Sequence, residues 1–230
     1  MGVIKLTRTE KVCLGVLALV IVYALWPEPP KYVRYEKGNM IKAANNCRQI
    51  ILALKAYAAD HDGKYPDSFL GDAPRNSNAA FRPLLLENIV ENEMIFSSPV
   101  SPYVPDGILG DDGQKNKALE TGENHWALTA GMDINKPGHI PLVYENPADA
   151  SWPPKWSVDK RWTNARGRTW TDSIIVGLND GSVSPRKLAA KKGNAVGLAK
   201  ERDGKDLFEL AIDPVKFPKG EVLDIDAGEQ

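Results

Sequence analysis

The sequence predicts an α+β fold: an N-terminal transmembrane helix leading into a long amphipathic helix packed on a small antiparallel β-sheet. Three observations carry this reading: an uncharged apolar run near the start, a 3.6-residue apolar stripe after it, and apolar segments joined by a hairpin turn in the second half. With 230 residues, 43% hydrophobic and 26% charged, the chain suits one modest domain plus an appendage better than two full domains. Its 29 basic residues are balanced by 30 acidic ones, so there is no basic footprint and nucleic acid is set aside as a partner.

Residues 1–11 form a basic segment with Lys5, Arg8 and Lys11, expected on the cytoplasmic side. Residues 12–26, "VCLGVLALVIVYALW", carry no charge and are expected as a transmembrane helix with the lipid bilayer as partner. The run covers roughly 22 Å of a hydrocarbon core near 30 Å, so Arg8, Lys11 and Trp26 must anchor its ends. Basic residues before the span predict a single-pass inner-membrane protein whose remaining chain is periplasmic. Two other readings compete: a cleaved signal peptide with Val22 and Ala24 as the small-residue site, and a buried core helix.

Residues 27–38 hold three prolines and read as a stiff linker. Residues 39–215 follow as the periplasmic domain. Its first helix, about Met40 to Ala59, shows apolar or small residues at Met40, Ala43, Ala44, Cys47, Ile50, Ile51, Leu54 and Tyr57, one stripe at helical spacing. A second pattern runs from about Ala79 to Met94 with Phe81, Leu84, Leu85, Ile89 and Val90 on one face, and requires Pro83 in the first turn. "HIPLVYE" at 139–145 and "DSIIVGLNDGSVSP" at 172–185 read as strands, the second folded at "NDGS". Between them a Pro- and Trp-rich stretch reads as an exposed or loosely folded excursion. After Lys187 come a short helix and a strand near Phe208 to Ile212, and residues 216–230 are expected as a fraying acidic tail.

The first helix stops in "ADHDGKYPDS". Gly63 suits the left-handed position past a helix end, Pro66 prevents resumption, and Tyr65 is placed to fold back on the last turn; with Asp62 these residues form a helix-stop motif. This junction resembles the end of the long N-terminal helix in type II secretion major pseudopilins and related type IV pilin-like proteins. "LTRTE" at Leu6 to Glu10 is similar to the processed start of those proteins, keeping the threonine and the glutamate, with a degenerate processing site: Lys5 stands where a prepilin has glycine, and Arg8 and Thr9 replace an apolar pair. The resemblance covers about the first 70 residues. It implies a pilin-like fold and a structural role in a secretion or pilus-like apparatus, with other subunits of that kind as partners and Glu10 as an assembly or membrane-interface residue.

No catalytic, cofactor or metal site is assigned, and no small-molecule substrate. His61, His125 and His139 lack metal spacing and read as loop or surface histidines. Cys13 and Cys47 read as packing residues. Asp106, Asp111 and Asp112 sit in a glycine-rich loop able to offer calcium oxygen ligands, but the spacing is not that of an EF-hand and a solvated turn is preferred. Trp152, Trp156, Trp162 and Trp170 permit an alternative, an anchored or secreted module whose Trp-rich loop engages polysaccharide or a surface ligand, against the plainer account that they cap a small β core.

Overall fold

The computed structural model describes residues 31–111, 113–159 and 166–228. The expected transmembrane helix at 12–26, the basic segment before it and Glu10 lie outside them. Among the described residues no helix is long and apolar enough to cross a membrane. The transmembrane element of the fold class, and the single-pass inner-membrane placement drawn from it, are therefore withdrawn. What the chain folds into is a five-stranded antiparallel sheet with few helices.

Helix α1 runs Lys31–Asp60, so the linker expected at 27–38 is helical from Lys31 onward. The reason is positional: the last of the three prolines is Pro30, and proline is compatible with the residues at or before a helix's first turn. Ala43, Cys47, Ile50, Ile51 and Leu54 are fully buried. Helix α2 spans Ser77–Leu86, started by Asn76, whose side chain accepts from Ala79 N. It is shorter than expected because Asn88 takes a left-handed φ of 58° and Val90 N donates back to Leu84 O. Pro83 sits in the helix interior, not in its first turn. Glu93–Phe96 forms a separate 3-10 turn.

The strands are β1 Trp126–Thr129, β2 Pro141–Glu145, β3 Ser173–Leu178, β4 Val183–Lys187 and β5 Val222–Leu223, ordered β4-β3-β2-β1-β5. The β3–β4 hairpin closes where "NDGS" places it, with Gly181 at φ 96° and its N–H donating to Leu178 O. Pro185 is tolerated because β4 is an edge strand. The segment expected to fray docks instead: β5 pairs with β1, and Ser77 N and Gly122 N donate to Asp224 O and Asp226 O.

The central strands are buried on both faces. Trp126, Leu128, Val143 and Ile175 face α1 and α2, while Ala127, Tyr144, Ile174 and Val176 join a second core with Trp156, Leu198 and Phe208. Along β1 and β3 consecutive residues alternate between the two cores, as the period of a strand requires. The described part of the Trp-rich stretch is thus packed rather than an exposed excursion. Trp156 is fully buried and donates through Nε1 to Glu145 O; Trp170 donates to Glu145 Oε1. The strand expected near Phe208 is helix α3, Leu207–Ala211, held by a capping box in which Asp206 accepts from Phe208 N and Glu209 N and Glu209 accepts from Asp206 N.

Candidate assembly surface

Packing dictates which face of α1 remains for a partner. Its inner face lies so close to β3 that a Cβ on Gly177 would stand 2.4 Å from Ile51 Cδ1 and 2.8 Å from Cys47 Sγ. Cys47 Sγ is 3.5 Å from Val143 O, and burial pushes its thiol well above the ordinary range. On the outer face Ile41 is 63% exposed and Leu52 58%, with Lys42, Asn45, Arg48, Ala56 and Ala59 also exposed. Ile41, Asn45, Arg48, Leu52, Ala56 and Ala59 recur at helical spacing along one stripe. Beside it runs an open groove of about 510 Å³ between α1 and the chain after α2, lined by Leu52, Ala53, Ala56, Ile89 and Ile95, with Glu91 at its rim.

The helix-stop motif fixes where this surface ends. Gly63 N donates to Ala58 O at 2.9 Å, the six-to-one bond of a Schellman motif, which puts the left-handed C′ position on Asp62 at φ 52° and Gly63 after it at φ 79°. Gly63 O then accepts from Ile134 N. Tyr65 is fully buried, and its hydroxyl donates to Asn179 Oδ1 at 2.8 Å on the β3–β4 hairpin, a long-range tie rather than a cap on its own helix. Asn179 Nδ2 donates to Asp133 O and Lys136 O, so one side chain joins the helix stop, the β1–β2 loop and the hairpin. Pro66 opens a 3-10 turn, Pro66–Phe69, in which buried Asp67 accepts from Gly131 N at 2.7 Å.

Two titratable clusters were invisible in the spacing of the sequence. His125, expected in a loop or at the surface, is fully buried with its Nε2 3.5 Å from Glu145 Oε1 and its Nδ1 2.8 Å from Asn146 Nδ2. Glu145 also accepts from Ser98 Oγ, Trp170 Nε1 and Ile175 N. Ser98 and His125 both meet the carboxylate of Glu145 rather than one another, and with all three at most 3% exposed the cluster ties loops to the end of β2. The second cluster brings Asp106 to Glu93 and Glu123, with carboxylate oxygens all within 4.8 Å, while Asp111 takes no part in it. Burial, followed by the nearby charges of Glu93 and Asp106, raises the Glu123 carboxyl against the pull of the Glu120 N–H. Glu93 is itself occupied by Gly107 N and Leu119 N, which accounts for its burial as loop closure.

The described tryptophans offer no stacking platform. Trp156 and Trp170 are buried, and Trp152 packs edge-on against Phe208 and Phe217 at 5.2 and 5.7 Å. Trp162 lies outside the described residues.

No protein-family model matches the chain, and neither a curated protein nor a solved structure matches it. Nothing in these comparisons points to a secretion system or a pilin, and the expected single-pass, periplasmic placement falls with the transmembrane helix, none of the described helices being long and apolar enough to cross a membrane.

Proposed function

We propose that this chain is a structural subunit that works through protein–protein contacts, with α1 of a second copy as the occupant of the groove beside α1. The observation that carries the reading is the division of α1 into a buried stripe and an outer stripe with Ile41 and Leu52 in water, Leu52 at the edge of a groove whose lining is largely apolar. Small residues at Ala53 and Ala56 permit close helix approach, and exposed Lys42 and Arg48 of an incoming α1 complement Glu91 at the rim. No catalytic step is assigned.

The test is Leu52→Glu in the full chain. A charge placed in a desolvated helix contact is expected to weaken self-association at least tenfold, read by sedimentation velocity, while circular dichroism and thermal melting stay as in wild type because the residue is exposed in the monomer. Unchanged association of a well-folded Leu52→Glu variant would refute the proposal.

A further inference from the structure

A second surface, away from α1, has the charge and shape of one half of a contact between unlike surfaces. A cavity of about 230 Å³ lies beside the end of β1, lined by Arg75, Lys136, Lys216 and Lys219 with a floor that includes Phe217. Glu221 is the only acidic residue lining it. Arg75 spends its charge on Glu221 at 3.1 Å, and Lys136 donates to Lys216 O, but Lys219 makes no ion pair within 4 Å among the described residues. The carboxylate of Asp213 accepts from Lys216 N and so stands beside Lys216, which leaves the excess positive charge of the cavity on Lys136 and Lys219, next to Phe217.

At the other end of β1 stands its complement. Asp106 and Asp111 are exposed on a glycine-rich loop with Ile108 54% exposed between them. Asp106 lies within 4.8 Å of the buried carboxylates Glu93 and Glu123, and no ion pair reaches any of the three among the described residues. Glu123 precedes β1 and Gly131, which lines the basic cavity, follows it, so the four residues of β1, roughly 13 Å of strand, lie between the two charge clusters together with the loops at its ends. A Debye length near 8 Å at physiological ionic strength means that they cannot balance one another within one molecule.

We infer that the basic cavity at Lys216 and Lys219 receives the Asp106–Asp111 loop of a second copy. Asp106 and Asp111 meet the lysines and Ile108 enters toward Phe217; the ammonium groups relieve the repulsion among three crowded carboxylates. Because the two surfaces differ, the contact either is made twice in a two-fold dimer or runs head to tail into a ring or an open chain, and sedimentation velocity of the wild-type chain distinguishes these. This rests on the assembly reading above and adds to it a contact independent of α1.

The experiment uses the full chain, with Lys216→Glu/Lys219→Glu and Asp106→Lys/Asp111→Lys as separate variants. Each is expected to weaken salt-sensitive self-association about tenfold. An equimolar mixture of the two is expected to associate again, since each variant keeps one native surface and the two reversed surfaces complement each other. Association that neither variant weakens, or a mixture that stays monomeric, overturns the contact. So does calcium bound in equilibrium dialysis and lost only in Asp106→Lys/Asp111→Lys, when Lys216→Glu/Lys219→Glu assembles as wild type; the cation at the loop is then a metal. Loss of assembly in Leu52→Glu with both charge variants unaffected overturns this contact and leaves the α1 surface standing. The reverse pattern supports this contact and overturns the α1 surface.

Discussion

Asp67 sets a pH dependence of stability that runs opposite to ordinary acid denaturation. Its side chain is 8% exposed, with Oδ2 accepting from Gly131 N and Oδ1 buried without a partner. Burial raises its carboxyl to about 6; the Gly131 N–H, its own backbone N–H and the charge of Arg75 pull the other way, and Glu221 adds to the rise. An unfolded aspartic acid titrates near 3.9. Between those values the folded chain holds a proton that the unfolded chain has released, so the stabilising contribution is full below about pH 4 and is lost as pH rises through about 6. Two pKa units correspond to about 3 kcal/mol. Asp67→Asn removes the titration. Its unfolding free energy minus that of wild type is expected to grow by about 2 kcal/mol in the variant's favour from pH 4 to pH 7, the rest of the change falling outside this window, whatever constant offset the unpartnered amide adds. Urea unfolding followed by tryptophan fluorescence at four pH values in this window measures the difference. A difference that stays flat within about 0.5 kcal/mol, or shrinks as pH rises, would refute the assignment of that proton to Asp67.

Two further substitutions test the scaffold beneath the assembly surface. Gly177→Ala places a methyl group against Ile51 and Cys47 and is expected to cost about 1–3 kcal/mol in urea unfolding; adding Ile51→Val, which removes the Cδ1 atom that is struck, should recover part of that loss as a non-additive coupling. Tyr65→Phe removes the donor to Asn179 Oδ1 and is expected to cost about 1 kcal/mol, with faster amide exchange in the 133–136 loop that Asn179 holds.

The parts of the structure legible in the sequence are those whose signals are local. Ala43, Cys47, Ile50, Ile51, Leu54 and Tyr57 are read from spacing along α1 and are all buried, and Asp180-Gly181 marks the β3–β4 turn without reference to anything else in the chain. β1 is different. "WALT" shows no polar alternation because both its faces are covered, and a four-residue run buried on both sides has no period to detect. β5 has two residues and is a strand only because Leu128 and Thr129 lie opposite. Helix α3 left a usable signal in Asp206 and Glu209, three apart before an apolar pair; the box outweighs the β-like look of the segment.

The sites were harder to see than the elements because their chemistry is assembled across the fold. Glu145 closes a strand in the place where a sequence reader assigns water, yet it receives donors from residues 98, 170 and 175. Asp106 was legible as an acidic loop residue, but its neighbours Glu93 and Glu123 come from either side of that loop, and its spacing to Asp111 was the misleading clue. The same holds for the basic cavity: Arg75, Lys136 and Lys219 are far apart in the chain, and an overall charge balance of 29 to 30 conceals their separation from the acidic loop. The inferred contact draws on that separation, since a near-neutral chain has little colloidal repulsion and two local clusters of opposite sign give an encounter direction.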